Sequence, residues 1–258
     1  MKRVLIIAAA LALAGTAFAA LGQVVASFPA PANYPIALSV SANYQAYLWV
    51  YCNASPYRVY RLAGLTGSVY SSWVSPRGSG TRGLSYHTGG NLWMGSYSTD
   101  YCYRCNPNNG SVYASWPANH DMSGGLAIHG GAGGSSPTAL FASDTSPRGI
   151  WRHHLTTGSI LSSFAPSQIM CDLAWDYDNK LIWGGTYSTH YIYGFYTNGN
   201  LVASFRSPAN NPWGLTYYGN YLWVSTTTGT NRIWRIHVPT FTQNIHPTSV
   251  GRVKAIFK

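Results

Sequence analysis

Gly67-Ser-Val-Tyr-Ser-Ser-Trp73 is followed 43 residues later by an almost identical phrase, Gly110-Ser-Val-Tyr-Ala-Ser-Trp116. Three looser versions complete the set: Gly22-Gln-Val-Val-Ala-Ser-Phe28, Gly158-Ser-Ile-Leu-Ser-Ser-Phe164 and Gly199-Asn-Leu-Val-Ala-Ser-Phe205. Successive glycines stand 45, 43, 48 and 41 residues apart. A repeat of this length is one four-stranded propeller blade, so the phrase predicts an all-β, five-bladed β-propeller.

Each repeat runs in one order. The glycine-led strand ends in an aromatic residue, and a loop leads to a short strand built on leucine followed by a smaller residue. Its versions are Leu38-Ser39, Leu84-Ser85, Leu126-Ala127, Leu173-Ala174 and Leu215-Thr216. A strand centred on Trp49, Trp93, Phe141, Trp183 or Trp223 follows. Next comes a strand carrying Val59-Tyr60-Arg61, Cys102-Tyr103-Arg104, Ile150-Trp151-Arg152, Ile192-Tyr193-Gly194 or Ile233-Trp234-Arg235. Turns such as Asn109-Gly110 and Asn198-Gly199 are strong hairpin signals and lead back to the phrase. The small residue suits an innermost strand, where blades crowd toward the axis. The recurring rings are core, each worth roughly 1.5–3 kcal/mol on burial. The repeated arginines are expected to lie on neighbouring rings.

The strand count leaves one vacancy. The first phrase has no strands before it, and the last repeat stops at Arg232–His237 without a fourth strand. Antiparallel pairing of these two segments completes the fifth blade and removes an exposed edge.

Residues 1–19 read as a secretory signal peptide: Lys2 and Arg3, an apolar run from Val4 to Ala14, and Ala17-Phe18-Ala19 as the cleavage pattern. The run is too short to span a bilayer. The expected product is exported, soluble or attached to the cell surface, and holds no membrane span. The propeller is assigned to 20–238 and a tail to 239–258. The chain has no glutamate and six aspartates, against 16 Lys and Arg. The formal charge is +10, of which the leader supplies two. With no nucleic-acid-binding signature, the excess reads as a mildly basic polar surface. Cys102 aligns with apolar strand positions and reads as core. A bridge from Cys52 is open, and no pairing of Cys52, Cys102, Cys105 and Cys171 follows from spacing alone.

Trp213-Gly-Leu-Thr-Tyr-Tyr, Tyr221-Leu-Trp-Val and Arg232-Ile-Trp-Arg resemble the repeats of secreted bacterial propellers. That group includes NHL-like and YVTN-like repeats, streptogramin lyases and glutamine cyclotransferases. The resemblance covers nearly the whole mature chain and implies fold, because the shared features are structural. The enzymes of the group rely on acidic or His/Glu catalytic residues, and no equivalent motif is recognisable here. Most of the aspartates, Asp176 and Asp178 included, read as turn or capping residues.

Ligand-binding candidates lie in loops expected on the face where the inner strands begin. Arg77, Arg82, His120, Asp121, Asn210 and Asn211 precede leucine strands; Tyr97, Asp100, Asp144, Tyr187 and His190 follow tryptophan strands. Two loops are near copies, Tyr97-Ser-Thr-Asp-Tyr101 and Tyr187-Ser-Thr-His-Tyr191, differing at Asp100 and His190. That difference marks a candidate specialised site. In the tail, Val253, Ala255 and Phe257 alternate with Arg252, Lys254 and Lys258 as an amphipathic strand. It is expected to dock on its own propeller, serve as an attachment tag, or pair with a neighbouring molecule to build an oligomer or filament. The composition favours a non-catalytic binding or structural module for carbohydrate or extracellular protein, with no cofactor, metal or nucleic acid. The alternative is a small-molecule lyase or cyclotransferase using a His/Asp site on the loop face.

Overall fold

A computed structural model describes residues 20–241 apart from 42–46, 64–65, 88, 130–137, 147, 209 and 228–230. The leader and the amphipathic tail strand therefore lie outside the described residues. Five four-stranded antiparallel sheets form the blades. From axis to rim, blade 1 is β2 (Pro35–Val40), β3 (Tyr47–Cys52), β4 (Arg58–Ala63) and β5 (Ser68–Val74). Blade 2 is β6 (Thr81–His87), β7 (Asn91–Ser96), β8 (Tyr101–Cys105) and β9 (Val112–Pro117). Blade 3 is β10 (Leu126–His129), β11 (Ala139–Thr145), β12 (Arg148–His154) and β13 (Ile160–Phe164). Blade 4 is β14 (Asp172–Asp176), β15 (Leu181–Gly185), β16 (Tyr191–Phe195) and β17 (Leu201–Arg206). Blade 5 is β18 (Pro212–Tyr218), β19 (Tyr221–Thr226), β20 (Arg232–His237) and, at the rim, β1 (Val24–Pro29). The ring closes as the strand count requires. β1 runs antiparallel to β20, with Phe28 opposite Ile233. The inner strands touch in the cyclic order β2, β6, β10, β14, β18, β2.

The repeated phrase acts between blades. Its glycines take positive φ, and its terminal rings lie over the glycine of the next copy: Phe28 on Gly67, Trp73 on Gly110, Trp116 on Gly158, Phe164 on Gly199 and Phe205 on Gly22. Each phrase also carries a bulge. Tyr70, Tyr113, Leu161, Val202 and Val25, the fourth residue of each copy, have no partner opposite. The extra residue accounts for adjacent apolar residues in a strand, and it twists the rim edge away from pairing with other chains. Tyr70 helps to cover Arg61, whose guanidinium also lies 3.6 Å from the Tyr47 ring centre. Arg235 sits likewise on Tyr221 at 3.7 Å.

The small inner-strand residue does more than fit a taper. Ser39 Oγ accepts the Tyr86 N–H at 2.6 Å, Ser85 Oγ the Ile128 N–H at 2.9 Å and Thr216 Oγ1 the Val40 N–H at 3.1 Å. An inner strand leaves alternate N–H groups facing the axis, and the neighbouring blade supplies an acceptor for them. The four cysteines are buried free thiols, and the 0 % exposure of Cys102 places it in the core. Among the described residues, no helix is long and apolar enough to cross a membrane.

Candidate functional site

The two copied loops hold their differing residue in the same backbone state. Asp100 has φ 54° and His190 φ 60°, a left-handed conformation that Asn, Asp and His tolerate best. Asp100 O accepts the Ala118 N–H at 2.8 Å, and His190 O accepts the Ser207 N–H at 2.9 Å. Their side chains also correspond. Asp100 Oδ1 accepts the Met122 N–H at 3.4 Å, and His190 Nδ1 accepts the Asn211 N–H at 3.3 Å. Asp and His are interchangeable here because each offers a short acceptor from a left-handed residue to the next blade's loop. The pair is thereby a fastening between blades, and the difference is explained without a ligand.

Other candidates spread around the loop face. Arg82 lies 4.1 Å from the Tyr97 ring centre, and Arg77 lies 3.9 Å from that of Tyr103. Tyr187 stacks in parallel on Trp213, with centroids 5.9 Å apart and planes at 6°. Asn210 is exposed beside Asn211. Tyr34, Tyr97, Tyr101, Tyr187 and Tyr191 all present exposed rings. Arg252, Val253, Lys254, Phe257 and Lys258 are outside the described residues. The chain is described as far as Phe241, whose N–H donates to Asn179 Oδ1 at 2.6 Å and whose ring faces Trp183. The start of the tail thus crosses blade 4.

One group of candidates does converge. His120, from the loop between β9 and β10, inserts between blades 2 and 3. Its Nδ1 lies 2.9 Å from the Asp121 carbonyl oxygen and 3.5 Å from Asp144 Oδ2. Its ring stacks on Trp151 at 4.9 Å, and its Nε2 meets His153 Nε2 at 2.8 Å. His153 Nδ1 is 2.9 Å from the Gly158 carbonyl oxygen. The side chains of His120 and Asp144 are 4 % and 0 % exposed, and His153 is fully buried. Burial raises the Asp144 carboxyl above its usual range and lowers His153 to about 4. His153 was missed in the sequence, yet a signal was available. By strand register it occupies the position of Leu62, Cys105, Phe195 and Ile236 in the other blades. Asp144 likewise stands where they carry Cys52, Ser96, Thr186 and Thr226. Blade 3 departs from the repeat twice at one contact.

Asp144, near the end of β11, caps a turn, its Oδ1 accepting the Ser146 N–H at 2.9 Å. Asp172 departs from the turn-and-cap reading, since it opens the inner strand β14 and bonds to other inner strands. Asp172 lies buried near the axis. Its Oδ1 accepts the N–H of Leu173 at 2.9 Å and of Leu126 at 3.2 Å, and its Oδ2 that of Leu215 at 2.8 Å. The Leu38 N–H is a fourth donor. One carboxylate thereby ties inner strands of blades 1, 3, 4 and 5. Burial pushes its pKa up, and the converging N–H groups oppose that rise. Asp176 does cap a turn: it accepts from the backbone of Asp178 and Asn179 and from Trp183 Nε1. Among the described residues, no three His, Cys, Asp or Glu side chains form a metal-binding group.

No family model and no curated protein matches the sequence. Solved structures do match. Glutaminyl cyclase of Myxococcus xanthus is 11% identical, with a TM-score of 0.65, over 86% of this chain and 97% of that one. The Cps50 (Swd1) β-propeller domain of Myceliophteria thermophila is also 11% identical, with a TM-score of 0.52, over 84% of this chain and 100% of that one. At such identities the likeness is one of fold, and with the strand order it makes this chain a five-bladed β-propeller.

Proposed function

We propose that the protein is an exported, non-catalytic binding module whose loop face engages carbohydrate at the cell surface or in the extracellular matrix. The observation that carries this reading is the set of exposed tyrosines on that face, Tyr34, Tyr97, Tyr101, Tyr187 and Tyr191, with Trp213 behind Tyr187 and Arg82 behind Tyr97. Flat rings beside Asn, Ser and Thr offer apolar area together with hydrogen-bonding groups, which suits sugar rings. The acid and histidine candidates favour a structural role. Asp100 and His190 accept backbone N–H groups, and His120 and Asp144 are buried between blades.

Glycan-array binding with the mature chain tests the proposal. Binding that is lost in Tyr187→Ala and Tyr97→Ala variants of unchanged stability supports it. Cyclisation of an N-terminal glutaminyl peptide, abolished in Asp144→Asn, would overturn it in favour of the cyclotransferase alternative. Capture of a protein in place of any glycan would replace carbohydrate with an extracellular protein. The tail is proposed as an assembly or anchoring segment. Deleting 249–258 should change particle size or cell association, and unchanged values of both would exclude that role.

A further inference from the structure

The contact between His120 and His153 poses a proton-counting problem. Each ring presents Nδ1 to a carbonyl oxygen, Asp121 O for His120 and Gly158 O for His153, both at 2.9 Å. A carbonyl only accepts, so each Nδ1 must carry a hydrogen. Two neutral rings would then have bare lone pairs on both Nε2 atoms, which lie 2.8 Å apart. That distance is a hydrogen bond and needs one hydrogen between the nitrogens.

We propose that His120 and His153 form a buried proton-binding site, in which His120 is an imidazolium donating to neutral His153 and Asp144 is the counter-ion. The assignment puts the charge on the ring nearest the carboxylate, with Nδ1 3.5 Å from Asp144 Oδ2. It also gives that oxygen, which is buried and otherwise without a hydrogen-bond partner, an opposite charge. A metal ion does not fit between the nitrogens, since two Zn–N bonds of about 2.0–2.1 Å in tetrahedral geometry need a wider separation.

The titratable surroundings are few. The β9–β10 loop contributes His120 and Asp121, β11 contributes Asp144 and β12 contributes His153. Blade 2 adds the buried Cys102 thiol of β8 to the neighbouring core, and Asp100, whose carboxylate accepts the Met122 N–H. Trp116 and Trp151 pack on the histidine rings and carry no charge.

The site links pH to the fastening of blade 2 on blade 3. With the proton present, the His120 loop is tied to β12. Losing it sets two lone pairs face to face and leaves Asp144 buried without its counter-ion, so the loop is released as pH rises. The proton is the ligand, and the site stands whether or not the loop face binds glycans.

Imidazole nitrogen NMR on the intact wild-type protein tests this directly. At pH 6 one buried ring should show both nitrogens protonated and coupled to a second ring protonated at Nδ1 alone; by pH 9 the pattern should be gone. Two neutral rings at pH 6, or two charged ones, would overturn the proposal. As a second measurement, melting temperature should fall by roughly 3 °C or more from pH 6 to pH 9. That fall should shrink in His153→Leu, which restores the residue that blade 1 carries as Leu62. An equal fall in both proteins would also reject it.

Discussion

Gly67 lies directly beneath the ring of Phe28, although the two belong to different blades and Phe28 sits on the strand that closes the ring. A Cβ on Gly67 would stand 2.5 Å from Phe28 Cδ2, and the backbone there has φ +75°. Two independent constraints, a backbone conformation and a close approach, thus fall on one residue. Gly67→Ala is expected to cost roughly 2–4 kcal/mol: about 1 for the left-handed conformation and the rest for overlap with the ring. Gly90→Ala is the control, because φ is +81° there and nothing lies within 4 Å. It should cost only about 1 kcal/mol. Denaturant unfolding of both variants measures the difference.

Replacing Asp172 tests the axial carboxylate. Asp172→Asn keeps the size and sets an NH₂ group against backbone N–H donors from at least one side. A loss of about 2–3 kcal/mol is expected, with a larger loss for Asp172→Ala, where none of the donors keeps its partner. Denaturant midpoints for the two variants provide the check, and the order Asn milder than Ala is the specific expectation.

His153 predicts an acid limb. Its folded pKa is depressed to about 4, so the unfolded chain takes up a proton near 6.5 while the folded one does not. Stability should therefore fall as pH drops from 6.5 toward 4, by roughly 3 kcal/mol. His153→Leu should lose that part of the acid-side slope. Unfolding free energies of both proteins at pH 4.5 and 6.5 measure it.

The loop fastening predicts tolerance by type. Asp100→Asn keeps a residue suited to positive φ and an acceptor for the Met122 N–H, and should change stability by less than about 0.5 kcal/mol. Asp100→Val lacks both properties and should cost about 2 kcal/mol. Thermal melts of the two variants distinguish this structural role from a ligand role, in which glycan binding would change in Asp100→Asn without a change in stability.

Much of the fold was legible in the chain because one set of constraints is imposed five times. Gly110 and Trp73 recur at blade spacing since every inter-blade gap needs the same ring on the same bare turn. The missing fourth strand likewise pointed to β1 beside β20. The bulge at Tyr70 was not legible, because an extra residue in one strand shows only against its partner. Of the site candidates, His120 and Asp144 were named from the loops, and their convergence with His153 was not foreseen. His153 lay in a strand read as repetitive, where a polar residue in an apolar column was the only clue.

By itself, then, the sequence determined the number of blades, the order of strands within them and the place where the ring closes. These depend on periodic burial and turn chemistry, which are local and repeat along the chain. Tertiary structure decided what the irregular residues do. Asp172 gathers N–H groups from strands as far away as Leu38 and Leu215, and His120 reaches a ring 33 residues on. Such partners are set by which edges face the axis and which blade faces overlap, and a polar side chain acquires its role only once water is excluded around it.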